Sequence, residues 1–192
     1  MGAELMSIYT RDLPHLQDEL NHIGEWSYGP ITIARAYGGC HFYLGKFCSL
    51  GQGIQAVFYG SHVLTDITSY PFAHLHGRGW PPVSCSEVHG QDIKIGSDVY
   101  IGNFATIQQG SVIGDGAVIG SYSVCKSNIP PYSIAVGNPC KVIRKRFPDE
   151  QIEKLIEMKW FDWDVEIIRK HLQVISSPRV DELYEIWKAE IK

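Results

Sequence analysis

The sequence predicts an all-β solenoid, a parallel β-helix interrupted by one long excursion loop and followed by C-terminal α-helices. Three observations lead there. From Ile95 the chain reads IGSDVY, IGNFAT, IQQGSV, IGDGAV, IGSYSV, so isoleucine recurs at 95, 101, 107, 113 and 119 while a small or branched residue recurs at 99, 105, 111, 117 and 123. An earlier tract, LGKFCS then LGQGIQ, repeats the pattern with Leu44, Leu50 and Ala56 in the isoleucine position. Beyond Pro148 the apolar spacing changes from six to the three and four of a helix.

A period of six excludes a helix for the middle of the chain, and glycines between Gly96 and Gly120 weaken a helix further. Hairpins would alternate and break irregularly, whereas here the break recurs at every sixth residue. Short strands joined by tight corners and stacked coil upon coil explain both features. Three rungs make one triangular coil. The isoleucine ladder points inward, and the small residues two places before it fill the narrowing corner. Gly96, Gly102, Gly114 and Gly120 follow the inward residue, where the expectation is a corner with unusual backbone angles.

The two tracts differ in phase, because 44, 50 and 56 cannot be extended by sixes to 95. The intervening segment, from about Phe58 to Gln91, therefore leaves the solenoid and returns. It is far longer than an ordinary connection, and its Tyr59, Tyr70, Phe72, Trp80, His62, His74 and His76 indicate a folded excursion. Before the first tract, weaker rungs start at Ile23 and Ile31, and Asp12 to His22 is expected to be an entry cap or short helix. After Pro148, Asp149 and Glu150 suit a first helical turn. Ile152, Leu155 and Ile156 form a stripe, Asp164 caps Val165 to Leu172, and Pro178 precedes an amphipathic stretch from Asp181 to Lys192. These helices are expected to close the end of the solenoid, with Trp160 and Trp163 as packing residues. The division is a cap over 1–22, a β-helix domain over 23–147 with its loop at about 58–91, and a helical extension over 148–192.

Composition narrows the function classes. The chain has 192 residues, 44% hydrophobic and 20% charged, with a formal net charge of -4, which offers no general attraction to nucleic acid. No apolar run approaches the roughly 20 residues of a membrane span, and no basic start precedes an apolar run. Cys40, Cys48, Cys85, Cys125 and Cys140 contain no Cys-x-x-Cys pair, as expected of buried thiols in the cytoplasm, and no metal is expected. Glycine motifs for dinucleotides or nucleoside triphosphates are missing, as are the Gly-x-Ser-x-Gly elbow and the His-Glu-x-x-His zinc motif.

The repeats, the loop, and the ending PPYSIAVGNPCKVIRKRF from Pro130 to Phe147 together resemble the hexapeptide-repeat acyltransferases. Within them the likeness is to the xenobiotic branch, related to chloramphenicol and streptogramin acetyltransferases, which also holds O-acetyltransferases of bacterial surface sugars. It covers roughly Ile23 to Trp163. The resemblance implies a left-handed coil, a homotrimer with active sites between subunits, and acetyl-coenzyme A as cosubstrate. In GSHVLTDITSYPF, from Gly60 to Phe72, His62 stands where the family places its catalytic base, while Ser61 replaces the usual Asn. Tyr100 replaces the commoner Trp of Val-Trp-Ile-Gly. The same likeness places the cofactor groove beside Gly102, Ala117, Ser121 and Lys126, brings Lys141 and Arg144 toward the phosphates, and puts Tyr28 near the acceptor.

An imidazole with an ordinary pKa of about 6.5 can accept a hydroxyl proton near neutral pH. It needs a partner that selects its tautomer, for which Asp66 and Glu87 are candidates, although fixing the loop is the stronger reading of Asp66. Tyr70, Phe72 and Trp80 can wall an acceptor pocket or simply pack together. The run Arg144, Lys145 and Arg146 suits phosphate binding and a solvated link equally well. The leading expectation is O-acetylation of a small hydroxyl compound, preferably a sugar. Alternatives are an antibiotic acceptor, a silent interaction scaffold, and a zinc-dependent carbonic anhydrase solenoid, for which the histidine pattern is thin.

Overall fold

A computed structural model describes residues 9–35, 39–58, 62–75, 78–84 and 90–192, with the backbone alone at His74. Among these described residues fourteen short strands follow one another: β1 (Asn21–Ile23), β2 (Ile31–Arg35), β3 (Phe42–Leu44), β4 (Ser49–Leu50), β5 (Ile54–Phe58), β6 (Ile93–Ile95), β7 (Tyr100–Ile101), β8 (Thr106–Gln108), β9 (Val112–Ile113), β10 (Val118–Ile119), β11 (Val124–Cys125), β12 (Asn128–Ile129), β13 (Ser133–Val136) and β14 (Lys141–Lys145). They form three sheets. The first face is β1-β3-β6-β9-β12, the second is β4-β7-β10-β13-β14, and the third is β2-β5-β8-β11. Every pairing is parallel except β13 with β14. From β3 to β13 the chain visits first, second and third face in rotation.

The inward ladder forms the core. Leu44, Leu50, Ala56, Ile95, Ile101, Ile107, Ile113 and Ile119 are all buried, and so are Val99, Ala105, Ser111, Ala117 and Ser123. Each buried isoleucine contributes about 1.5–3 kcal/mol. The small polar members are satisfied: the Ser111 hydroxyl donates to the Cys125 carbonyl at 3.1 Å, and Ser123 Oγ accepts from the Gly137 amide at 3.0 Å. Cys48 donates to the Gly96 carbonyl at 3.1 Å, and burial pushes its thiol up to about 12, so it acts as a packing residue.

The corner glycines do a different job from the one expected. Gly96, Gly102, Gly114 and Gly120 lie outside the left-handed region. They are needed because the next rung presses on them: an added Cβ would lie 2.5 Å from the Ser121 amide nitrogen at Gly102 and 2.6 Å from Pro131 N at Gly114. The left-handed angles fall two residues later, at Asp98, Phe104, Gly110, Gly116 and Tyr122. For a residue other than glycine this costs about 1–2 kcal/mol. Three corner columns result. The first holds Trp26, Phe47, Asp98, Gly116 and Tyr132; the second holds Gly53, Phe104, Tyr122 and Gly137; the third includes Gly110 and Lys126.

The excursion leaves at the third corner and returns in phase. Leu44 and Ile95, partners across it, stand 51 positions apart where Ile95 and Ile113 stand 18 apart, so it adds 33 residues to one coil. Toward the N-terminus, Asp12 to His22 is not an α-helix: two 3-10 turns, Thr10–Asp12 and Pro14–Leu16, give way to β1. Pro14, which lacks an amide proton, prevents the first turn from continuing.

Four helices follow the coil: α1 (Asp149–Met158), α2 (Val165–Lys170), α3 (Leu172–Ile175) and α4 (Val180–Glu190). Asp164 caps α2 by accepting from the Glu166 amide at 2.8 Å, and Trp163 Nε1 donates to the Met158 carbonyl at 2.8 Å. Their contacts with the coil run back along the first corner, where a closure of the coil's end was expected. Tyr132 is buried with Ile152, Leu155, Met158, Val180, Leu183 and Trp187. Farther back, Trp160 packs on Phe47 at 5.1 Å between ring centroids, and Lys46 Nζ meets Asp162 at 2.8 Å. The antiparallel β14 covers the last open strand edge of the second face.

Candidate active site

His62 stands exposed at the start of the described part of the excursion. Its Nδ1 lies 2.5 Å from the Ser69 carbonyl oxygen. A carbonyl only accepts, so Nδ1 is the donor in this contact and Nε2 is the ring nitrogen left to take a proton. The segment is braced locally: the Tyr70 amide donates to Thr68 Oγ1 at 3.0 Å, and Pro71 leads into a 3-10 turn over Phe72–His74. The group that selects the tautomer is thus a backbone carbonyl seven residues on. Neither Ser61 nor Glu87 lies among the described residues, and Asp66 is exposed. Phe72 touches both Tyr70 and Trp80, at 4.6 and 4.8 Å between centroids, so the three aromatics form one cluster with Tyr70 and Trp80 half exposed.

The second face carries a straight outward row. Tyr28, Ser49, Tyr100, Val118, Ile134 and Arg144 are successive register partners. At about 4.8 Å per rung the row runs roughly 24 Å. Lys141 pairs with Val136 at the second-corner end of this face, and Gly102 and Ser121 touch at that corner. One chain therefore gathers Tyr28, Gly102, Ser121, Lys141 and Arg144 along one face and its edge. It does not gather the rest. Ala117 lies at the first corner with its side chain sealed in the core, so only its backbone is available, and Lys126 lies at the third corner.

The basic run is sorted by the fold. Arg146 donates to Asp98 Oδ2 at 3.2 Å and to the Gly116 carbonyl at 2.6 Å, and its guanidinium lies over the Tyr132 and Phe147 rings. Burial pushes the Asp98 carboxyl up, and Arg146 opposes that rise. Lys145 pairs with Asp149. Lys141 and Arg144 remain exposed with no ion-pair partner among the described residues, which suits an anionic ligand along the second face. Phe104 and Tyr122, stacked at the second corner, gave no signal in the repeat pattern.

Residues 92–127 match the family described as Bacterial transferase hexapeptide (six repeats). A probable macrolide acetyltransferase of Lysinibacillus sphaericus is 40% identical over 139 residues, 70% of this chain and 76% of the relative. The chain belongs to the hexapeptide-repeat acetyltransferases. A chloramphenicol acetyltransferase of Escherichia coli is 38% identical over 151 residues, 76% of this chain and 70% of the relative. Among solved structures, a galactoside acetyltransferase in complex with coenzyme A superposes with a TM-score of 0.51 and 28% identity, over 67% of this chain and 56% of that one. The chain thus spans little more than half of that solved protein. Among the described residues of this hexapeptide-repeat acetyltransferase no three metal-ligating side chains come together, and no helix is long and apolar enough to cross a membrane.

Proposed function

We propose that this acetyltransferase moves the acetyl group of acetyl-coenzyme A to a hydroxyl of a small acceptor, a sugar as first expectation, with His62 as general base. The observation that carries the reading is the Nδ1 bond to Ser69, which leaves Nε2 free to take a proton. Acetyl-coenzyme A supplies an activated thioester. His62 Nε2 removes the acceptor's hydroxyl proton as the oxygen bonds to the acyl carbon; the carbon–sulfur bond breaks, and the proton passes from His62 to the departing thiolate. No acetyl-enzyme is formed. Tyr28 lies toward the acceptor, and Gly102, Ser121, Lys141 and Arg144 line the donor's path.

In this reading the coil is left-handed and three copies assemble, with each site completed by a neighbour. Support comes from the geometry of one chain: the His62 excursion leaves from the third corner, whereas Lys141 and Arg144 lie on the second face. Leu64 and Ile67 of the excursion stand fully exposed and suit burial against another copy. The thiols of Cys48, Cys125 and Cys140, buried and outside any disulfide among the described residues, suit a cytoplasmic enzyme.

A second acceptor class, an antibiotic hydroxyl, is favoured by the macrolide and chloramphenicol acetyltransferases among the relatives. A mass-spectrometric screen of sugars and antibiotics for an acetyl increment decides between the two. Turnover that survives His62→Ala would remove the assigned base, and a persistent monomer with full activity would remove the shared site.

A further inference from the structure

We propose that Phe104 and Tyr122 form a stacking platform for the adenine ring of coenzyme A, with Lys141 meeting the phosphates; this rests on the donor assignment above. The second corner is a column with one position per rung, occupied in order by Gly53, Phe104, Tyr122 and Gly137. A Cβ at Gly53 would lie 2.4 Å from the Phe104 ring, so that ring occupies the space a side chain there would need. The Tyr122 ring stacks on Phe104 with centroids 5.1 Å apart and planes within 24°. That separation matches the rung spacing of about 4.8 Å, so the rings continue the ladder one per rung. At the next rung Gly137 has no side chain, and a Cβ there would meet only the Pro139 carbonyl oxygen, at 3.5 Å. The far face of Tyr122 is consequently open to one flat ring, and Tyr122 is 71% exposed.

The first corner shows what such aromatics do when the chain covers them: Phe47 takes Trp160, and Tyr132 is buried by the helices. No described segment covers the second corner in that way. Both aromatics hold left-handed angles, φ 59° and 58°, which bulky side chains rarely adopt. Strained backbone of this kind persists where the surroundings use it. Close by, Lys141 pairs with Val136, the residue before Gly137, and is exposed without an ion-pair partner among the described residues. Gln52, Asn103 and Ser121 around the rings are neutral. A flat face with the exposed Lys141 cation one rung on fits a heterocycle joined to phosphate, and base stacking on an aromatic face does not depend on hydrogen-bond pattern.

The test is calorimetric binding of coenzyme A, adenosine 3′,5′-bisphosphate and pantetheine to the full chain. Tyr122→Asn is the informative variant, since Asn accepts left-handed angles and keeps the corner folded. It should weaken coenzyme A and the bisphosphate about tenfold and leave pantetheine unchanged, while Tyr122→Phe restores wild-type affinity. Lys141→Ala should weaken the bisphosphate and flatten its salt dependence. Unchanged coenzyme A affinity in Tyr122→Asn overturns the platform alone, and so does equal weakening of pantetheine and bisphosphate, which would assign the corner to the coenzyme's arm. Wild-type protein that binds none of the three overturns the donor assignment with it.

Discussion

Leu44 and Ile95 are direct partners in neighbouring strands of the first face, although the whole aromatic excursion separates them in the chain. The coil resumes its register after the insertion as if nothing had intervened, so the excursion is an appendage to a continuous ladder. Deleting residues 59–91 joins Phe58 to Asp92 and restores the regular 18-residue coil. The expected outcome is a cooperative melt with Tm near that of the wild type and complete loss of acetyl transfer. Thermal denaturation followed by circular dichroism, beside a coenzyme A release assay, checks both halves.

His62→Ala should lower kcat about 10²–10⁴-fold. His62 is exposed, so stability should change by less than about 0.5 kcal/mol. Free-thiol release with saturating acceptor, together with a urea melt, separates the chemical effect from a folding effect.

The inward ladder and the outward surface of the coil should respond unequally to truncation. Ile107 is fully buried and Val112 is exposed. Ile107→Ala should cost about 2–5 kcal/mol, whereas Val112→Ala should stay within about 0.5 kcal/mol. Equilibrium urea unfolding of the two variants measures the contrast.

Gly102→Ala tests why the corner glycines are there. The new methyl would lie 2.5 Å from the Ser121 amide nitrogen, which is backbone and cannot swing away. The rungs must part, at a cost of about 1–3 kcal/mol. A melting temperature equal to that of the wild type would show that the coil yields more easily than its register indicates.

Asp98 should leave a mark on the pH dependence of stability. Burial holds its carboxyl above the ordinary value in the folded chain, opposed by Arg146. Between the unfolded pKa, about 3.9, and the raised folded value, the native state binds more protons than the unfolded state. This contribution is therefore fully present at low pH and is lost as pH rises through that window. Asp98→Asn should remove the downward component, so that urea midpoints of the variant rise more steeply than those of the wild type just above pH 4.

The period of six was legible because Ile95, Ile101, Ile107, Ile113 and Ile119 share one environment, and shared environments select shared residue types. The same rule explains what was hidden. The left-handed position is held in turn by Asp98, Phe104, Gly110, Gly116 and Tyr122, five positions whose side chains meet different neighbours, so no residue type repeats. Glycine at Gly102 and Gly114 drew attention to the wrong place because crowding by the next rung, rather than backbone freedom, excludes a side chain there. The partner of His62 had no signature, since Ser69 contributes a carbonyl that any residue carries. Gly102, Ala117 and Lys126, which the resemblance places beside one groove, lie at three different corners of a single chain.

The helices that double back along the first corner change how the coil can come apart. A stack held only by nearest neighbours can fray from either end. Here Trp160 rests on Phe47, Arg146 reaches Asp98, and Tyr132 sits among the helices, so an outside splint ties the last rung to much earlier ones. Loosening the terminal turn then pulls on the whole column, and hydrogen exchange of the Ser133 to Val136 amides should follow global opening instead of local fraying.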